Sequence, residues 1–247
     1  MTHTHLAIGA CIVGGVTAAN GMKGQLRHIA GFTGRGTAVL LDQVARGWFG
    51  VPHCHLIFVG NSITSGAGST GGNTYPYYTA KALGLLGGKC SYANLGHSGE
   101  TTQQLLARYA SEVTPTLHTG SKNILVLNEI GNDIYLNGLT ARQAVDNYWA
   151  YVAVARAAGI EVLASTCGPR ALFSPAQLTT LLDANALVEA EFSANGCFDF
   201  ADFGTIAEIQ DINDTTYLAD GTHPTSAGYS CYARVAADKL ARRIAQL

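Results

Sequence analysis

The chain has 247 residues, enough for one large domain or one domain with an extension, and 47% of them are apolar, which excludes a disordered chain. Its 15 Lys and Arg against 17 Asp and Glu leave a net charge of −2, with no clustered basic surface for nucleic acid. Charged residues are only 13%, about half the usual share of ~25%, so Ser, Thr, Asn and Gly must meet much of the water.

Residues 1–50 are Gly-rich and irregular and read as an N-terminal extension packed on the domain that follows. Within them, residues 6–16 (LAIGACIVGGV) read as a buried strand or turn. The stretch lacks the Lys or Arg that precedes the apolar part of a signal peptide, so no convincing targeting segment is evident. Residues 37–48 carry a short helical pattern. Nowhere does the chain hold the roughly 20 consecutive apolar residues of a transmembrane helix.

From His55 onward the pattern alternates. Short apolar runs at 56–59, 91–95, 123–127, 160–165 and 198–203 predict strands. Longer periodic stretches near 75–86, 101–113, 141–158, 175–194 and 226–246 predict helices. Ser174-Pro175 offers a cap with a first-turn proline, and Thr225 or Ser226 can cap the last helix. Gly87-Gly88 and Gly159 stop helices. Such βαβ units close into an α/β fold, a three-layer α/β/α sandwich around a five-stranded parallel sheet.

The six cysteines are scattered, without a CxxC pair or zinc-ligand spacing, and read as small buried apolar residues. Cys167 and Cys197 fall at opposite ends of neighbouring strands, too far apart to bridge. Cys54 and Cys90 both precede their strands; a bridge between them is allowed by the topology but is not the favoured reading. His53 and His55 face one side of a strand, away from the loops that carry chemistry, and read as surface or core histidines rather than metal ligands.

Four loops at the carboxyl ends of strands carry polar clusters. They hold Gly60-Asn61-Ser62, the run from Asn94 to Thr101, the run from Asn128 to Asp133, and Asp220-Gly221-Thr222-His223-Pro224. A parallel sheet opens such loops onto one rim, where ligands bind. Acyl transfer needs a serine, a histidine to take its proton, an acid to orient the imidazole and N–H donors for the oxyanion. Each cluster alone has a plain reading: Ser62 as a turn serine, Asn132-Asp133 as an Asx-turn, Asp220-Gly221 as an ordinary turn.

Together the four blocks resemble the SGNH hydrolases, also called the GDSL esterase/lipase family. Gly60-Asn61-Ser62 stands for Gly-Asp-Ser, and Asn94 to Thr101 matches Asn-x-Gly-x-x-Gly-x-Thr throughout. In the third block Ile130 replaces the first glycine of Gly-x-Asn-Asp. Asp220 to Pro224 matches the last block. The resemblance covers residues 55–247 and implies the flavodoxin-like SGNH-hydrolase fold over residues 51–247. It implies Ser62 as nucleophile, His223 as general base and Asp220 as its orienting acid. The implied oxyanion donors are the backbone N–H groups of Ser62 and Gly99 and the side chain of Asn132. It implies no metal and no cofactor, and a small ester or acylated carbohydrate as substrate. The activity so implied is hydrolysis of short-chain carboxylic esters. Lipase, lysophospholipase or thioesterase action is the alternative within the family, and a non-catalytic carbohydrate-binding or structural module the alternative outside it.

Several readings compete beside these. Gly96-His97-Ser98-Gly99 follows a strand and precedes a helix as a nucleophile elbow does, but Glu100 stands where that motif requires a glycine. Gly66 to Gly72 lacks the ending of a P-loop and reads as a flexible loop beside the site. Asn61, Tyr75 and Tyr135 are expected to contact substrate, with Tyr77 and Tyr78 beside them as rim or packing aromatics. Asn213-Asp214-Thr215 matches a glycosylation sequon, a triplet that chance supplies often.

Overall fold

The computed structural model describes residues 6–8, 11–13, 54–84 and 90–246. The chain divides into two compact units, residues 1–50 and 51–247. In the first, β1 (Leu6–Ile8) and β2 (Cys11–Val13) pair antiparallel. The helical pattern expected at 37–48 lies outside the described residues.

The second unit is built on five strands: β3 (Cys54–Gly60), β4 (Cys90–Gly96), β5 (Lys122–Asn128), β6 (Glu161–Ser165) and β7 (Asp199–Ala201). All pair parallel, in the order β4-β3-β5-β6-β7. Successive side chains of a strand face opposite sides of a sheet, and both sides here are covered. On one side Ile57, Val59, Leu125 and Leu127 pack against Leu105, Tyr148, Val152 and Leu181. On the other, Leu56, Phe58, Ile124 and Val126 pack against Tyr75, Phe203, Tyr229 and Leu240. Burial on both faces is why these strands read as unbroken apolar runs.

The first side is formed by α3 (Thr102–Ala107), α4 (Tyr109–Thr116), α5 (Gly131–Asn137), α6 (Ala141–Ala157) and α7 (Pro175–Glu191). The second carries α2 (Tyr75–Ala82) and α8 (Ser226–Ile244). A short α1 (Ser62–Ser65) leaves β3 directly. The three-layer parallel architecture expected from the sequence is present. No helix of the described residues is long and apolar enough to cross a membrane.

Local details differ from expectation. The helix expected at 101–113 is two, broken at Arg108. That residue turns its guanidinium onto Glu100, Glu112 and the carbonyl of Leu95. The strand expected at 198–203 is shortened to β7. The cysteine reading needs correction: Cys54 and Cys90 form a disulfide. They lie directly opposite in the register of β3 and β4, with Cα atoms 4.7 Å apart. Cys167, Cys197 and Cys231 are free and buried. Beside the bridge, buried His55 bonds Ser91 and stacks on His118.

Candidate active site

In a sheet ordered this way the connections from β3 and β5 leave in different directions, so a crevice opens between their carboxyl ends. Gly60 of β3 and Asn128 of β5 are the last paired residues there. Everything with chemical potential in the four loops gathers above that pair.

Ser62 is the first residue of α1. Asn61 caps this helix: its Oδ1 accepts from the Ile63 N–H at 2.9 Å. The second loop is tied to the first. Asn94 Nδ2 donates to the Thr64 carbonyl at 2.9 Å, and the His97 N–H donates to the Gly60 carbonyl at 2.9 Å. Gly96 permits this approach, since a Cβ there would lie 2.2 Å from the Ser65 nitrogen. Gly99 has φ +81°, a conformation that glycine adopts at little cost, with open space about its α-carbon.

The last loop brings His223 over Ser62. His223 Nε2 lies 3.0 Å from Ser62 Oγ, and Nδ1 lies 2.8 Å from Asp220 Oδ2. Asp220 Oδ1 also accepts from the backbone N–H of Thr222 at 3.0 Å and of His223 at 2.7 Å. Partial burial raises the Asp220 carboxyl, but the bonds from the His223 side chain and these two N–H groups outweigh it and hold the group below its ordinary range. The glycine-rich loop lies against the histidine, where a Cβ on Gly68 would sit 3.0 Å from His223 Cβ. That loop is held by Tyr229 Oη donating to the Ala67 carbonyl at 2.7 Å.

Asn132 lies in the first turn of the third loop's helix, α5. Its Nδ2 donates one hydrogen to the Glu100 carbonyl at 2.8 Å, and an amide nitrogen carries a second. Its Oδ1 accepts from Arg170 Nη1 at 2.9 Å, which fixes the nitrogen on the opposite side. Asp133 is fully buried and accepts from the Thr102 N–H at 3.1 Å, joining the third loop to the start of α3. Ile130, in place of the usual glycine, is buried in the core.

The structure thus joins Asp220, His223 and Ser62 in one hydrogen-bonded chain, while Asn132 is linked to the nucleophile's loop through Glu129 and Asn61 and Gly99 lies on the loop tied to β3. Ser98 is not joined to a histidine; its Oγ lies 3.0 Å from Ser65 Oγ. Two expected substrate contacts are corrected. Asn61 is fully buried and works as a cap. Tyr75 is fully buried against Phe58, its hydroxyl 3.3 Å from Thr64 Oγ1 beneath α1. Tyr77 and Tyr78 lie against each other on α2, with ring centroids 5.4 Å apart and planes tilted by 58°. Tyr135 is exposed near Phe173, beside exposed Leu136 and Leu172. A cavity of about 440 Å³ is lined by Gly99, Thr101, Gln103, Gln104, Leu136 and Asn137.

Two residues were not singled out by sequence reasoning, Glu129 and Arg170. Glu129 is fully buried; Oε2 accepts from Asn61 Nδ2 and Oε1 accepts from the Asn132 N–H at 2.7 Å. The available signal was an acidic residue directly after an apolar strand and directly before the third block. Arg170 carried no local signal, because its partner lies 38 residues away.

The sequence matches the GDSL-like lipase/acylhydrolase family over residues 58–231. Among curated proteins none matches it. A member of the lipolytic protein G-D-S-L family from Veillonella parvula superposes with a TM-score of 0.64 at 17% identity, covering 76% of this chain and 99% of its own. The acetyl xylan esterase AlAXEase gives 0.61 at 20% identity, covering 75% and 99%. A family 3 carbohydrate esterase from Clostridium thermocellum gives 0.61 at 18%, covering 77% and 98%. At these identities the likeness establishes the fold.

Proposed function

The chain belongs to the GDSL-like lipase/acylhydrolase family, and from that premise we propose that it is a serine esterase that removes short acyl groups, O-acetyl groups on carbohydrates among them. The observation that carries the reading is the relay from Asp220 through His223 to Ser62, at 2.8 and 3.0 Å.

In this mechanism neutral His223 takes the Ser62 proton on Nε2 as Oγ attacks the ester carbonyl. Asp220 holds the proton on Nδ1 and so keeps Nε2 free to accept. The tetrahedral oxyanion receives N–H donors from Ser62, Gly99 and the second Asn132 hydrogen; one such donor is worth ~10²–10³ in turnover. His223 then returns the proton to the leaving alcohol oxygen as the C–O bond breaks, leaving an acyl-serine. Water gives a proton to His223 and attacks the acyl carbon. The C–Oγ bond breaks, Oγ regains a proton from His223, and the carboxylic acid leaves.

The cavity beside Gly99 supports a polar alcohol part. Gln103, Gln104 and Asn137 offer neutral amides, which suit the hydroxyls of a sugar. The exposed Tyr135, Leu136 and Leu172 support a second reading, in which a longer acyl chain lies along that side. A panel of p-nitrophenyl esters of rising chain length, run beside acetylated sugars, separates the two. A fluorophosphonate probe tests catalysis itself: labelling that depends on Ser62 supports an enzyme, and its absence supports a binding module that kept the fold.

A further inference from the structure

We infer that Glu129 is a positioning residue that clamps the loop carrying the nucleophile to the loop carrying the oxyanion donor. The inference rests on reading Ser62 and Asn132 in those roles.

The place of the contact makes it consequential. Asn61 and Glu129 are the first residues beyond the last paired positions of β3 and β5. They face each other across the point where the two connections part. Nothing in the strand ladder fixes the distance between the loops beyond it. The contact Asn61 Nδ2 to Glu129 Oε2 does so, and both residues are fully buried, so water cannot stand in for either.

The contact also runs into both halves of the site. On one side Asn61 Oδ1 accepts from the Ile63 N–H, which sets the start of α1 and with it Ser62. On the other, Glu129 Oε1 accepts from the Asn132 N–H, and Arg170 holds Oδ1 of the same side chain. Glu129 thus accepts on both oxygens, one from each loop. The family pattern places an acid beside the serine; here the amide stands there and the acid stands on the facing loop.

This geometry dictates its own control. Glu129→Gln sets an amide N–H against either Asn61 Nδ2 or the Asn132 N–H, so one donor meets another. Asn61→Asp sets two buried carboxyl groups face to face. The double substitution restores every match. The new carboxylate at position 61 accepts from Ile63 N–H and from the new amide at 129, whose oxygen accepts from Asn132 N–H. A residue that only stabilised the fold would change the melting temperature and the amount of active protein, not turnover per active site.

The test measures kcat and KM for a chromogenic acetate ester in the wild type, both single variants and the double variant. Turnover is normalised to Ser62 sites labelled by a fluorophosphonate. Measured above pH 8, where Glu129 is ionised, each single variant is expected to lower kcat per site by ~10²-fold with a much smaller change in KM, the scale of a displacement of about 1 Å. The double variant is expected to regain most of it. Wild-type kcat per site in the single variants, or a double variant no better than the worse single, overturns the clamp. Should a single variant not fold, the double variant decides alone: kcat within about tenfold of wild type supports the clamp and a lower value overturns it. Activity that survives Ser62→Ala would instead overturn the reading of the site.

Discussion

His223 Nε2 lies 3.0 Å from Ser62 Oγ although 161 residues separate them. Ser98, the competing serine, bonds Ser65 instead. Ser62→Ala is therefore expected to lower ester hydrolysis by roughly 10⁶, the scale on which a triad loses its nucleophile. Ser98→Ala should leave turnover within a few-fold of wild type. Steady-state assays with a p-nitrophenyl acetate substrate check both, and the reverse ranking would hand the nucleophile to Ser98.

Asp220 Oδ2 lies 2.8 Å from His223 Nδ1 while the Asp220 side chain stands 58% exposed. An orienting acid that is buried is worth about 10⁴ in turnover when it becomes an amide, because the imidazole is then held in the wrong tautomer. Water competes for the exposed Asp220 carboxylate, so Asp220→Asn is expected to lose less, ~10²–10³ in kcat. Asp220→Ala should lose more, since it also removes the acceptor of the Thr222 and His223 N–H groups. Kinetics of the two variants test the ranking.

Much of this site was legible because it sits where periodicity points. Apolar runs buried on both sheet faces locate β3 and β5, and the residues beyond their carboxyl ends include Ser62 and Asn132. What was not legible depends on which strands become neighbours. In the sequence Asn61 reads as an amide in the place of the family's acid; the fold brings a carboxyl to it from Glu129, 68 residues away. Tyr75 reads as a rim aromatic because it follows the first block. It is instead the first residue of α2, and that helix packs its ring under the sheet. The pairing of Cys54 with Cys90 required the register of β3 on β4, which alternation alone does not give.

That disulfide closes a separation of 36 residues at the amino ends of β3 and β4, the end of the sheet opposite the site. By the loop-entropy relation such a link contributes about 3–4 kcal/mol. Its loss should lower the melting temperature by roughly 10 °C in a unit of this size. Activity at moderate temperature should persist, because no residue of the site touches the bridge. Thermal melts with and without reductant test this, and a Cys54→Ser/Cys90→Ser variant should show the lowered transition with no further response to reductant.

Glu129 should set stability and turnover against each other. Burial pushes its carboxyl up from 4.5 to about 8, with Asp133 adding to the rise and Arg170, the Asn132 N–H and Asn61 opposing it. Cys167 is the other titratable group it faces, raised to about 11 and neutral at lower pH. A carboxyl raised on folding binds more protons in the native state than in the unfolded state between those two values. Unfolding free energy therefore falls as pH rises from about 4.5 to about 8 and levels off above, as far as this group is concerned. Turnover should run the other way. A proton on either oxygen of Glu129 meets an N–H donor, so the bond to Asn61 or Asn132 is complete only in the ionised form. Denaturant titrations of wild type and Glu129→Gln across this range should differ by a curve that slopes down toward pH 8. The kcat profile of the wild type should carry a rise in the same interval that the variant lacks. A difference curve that is flat, or that slopes upward, would mean that Glu129 stays ionised throughout and that burial does not govern it.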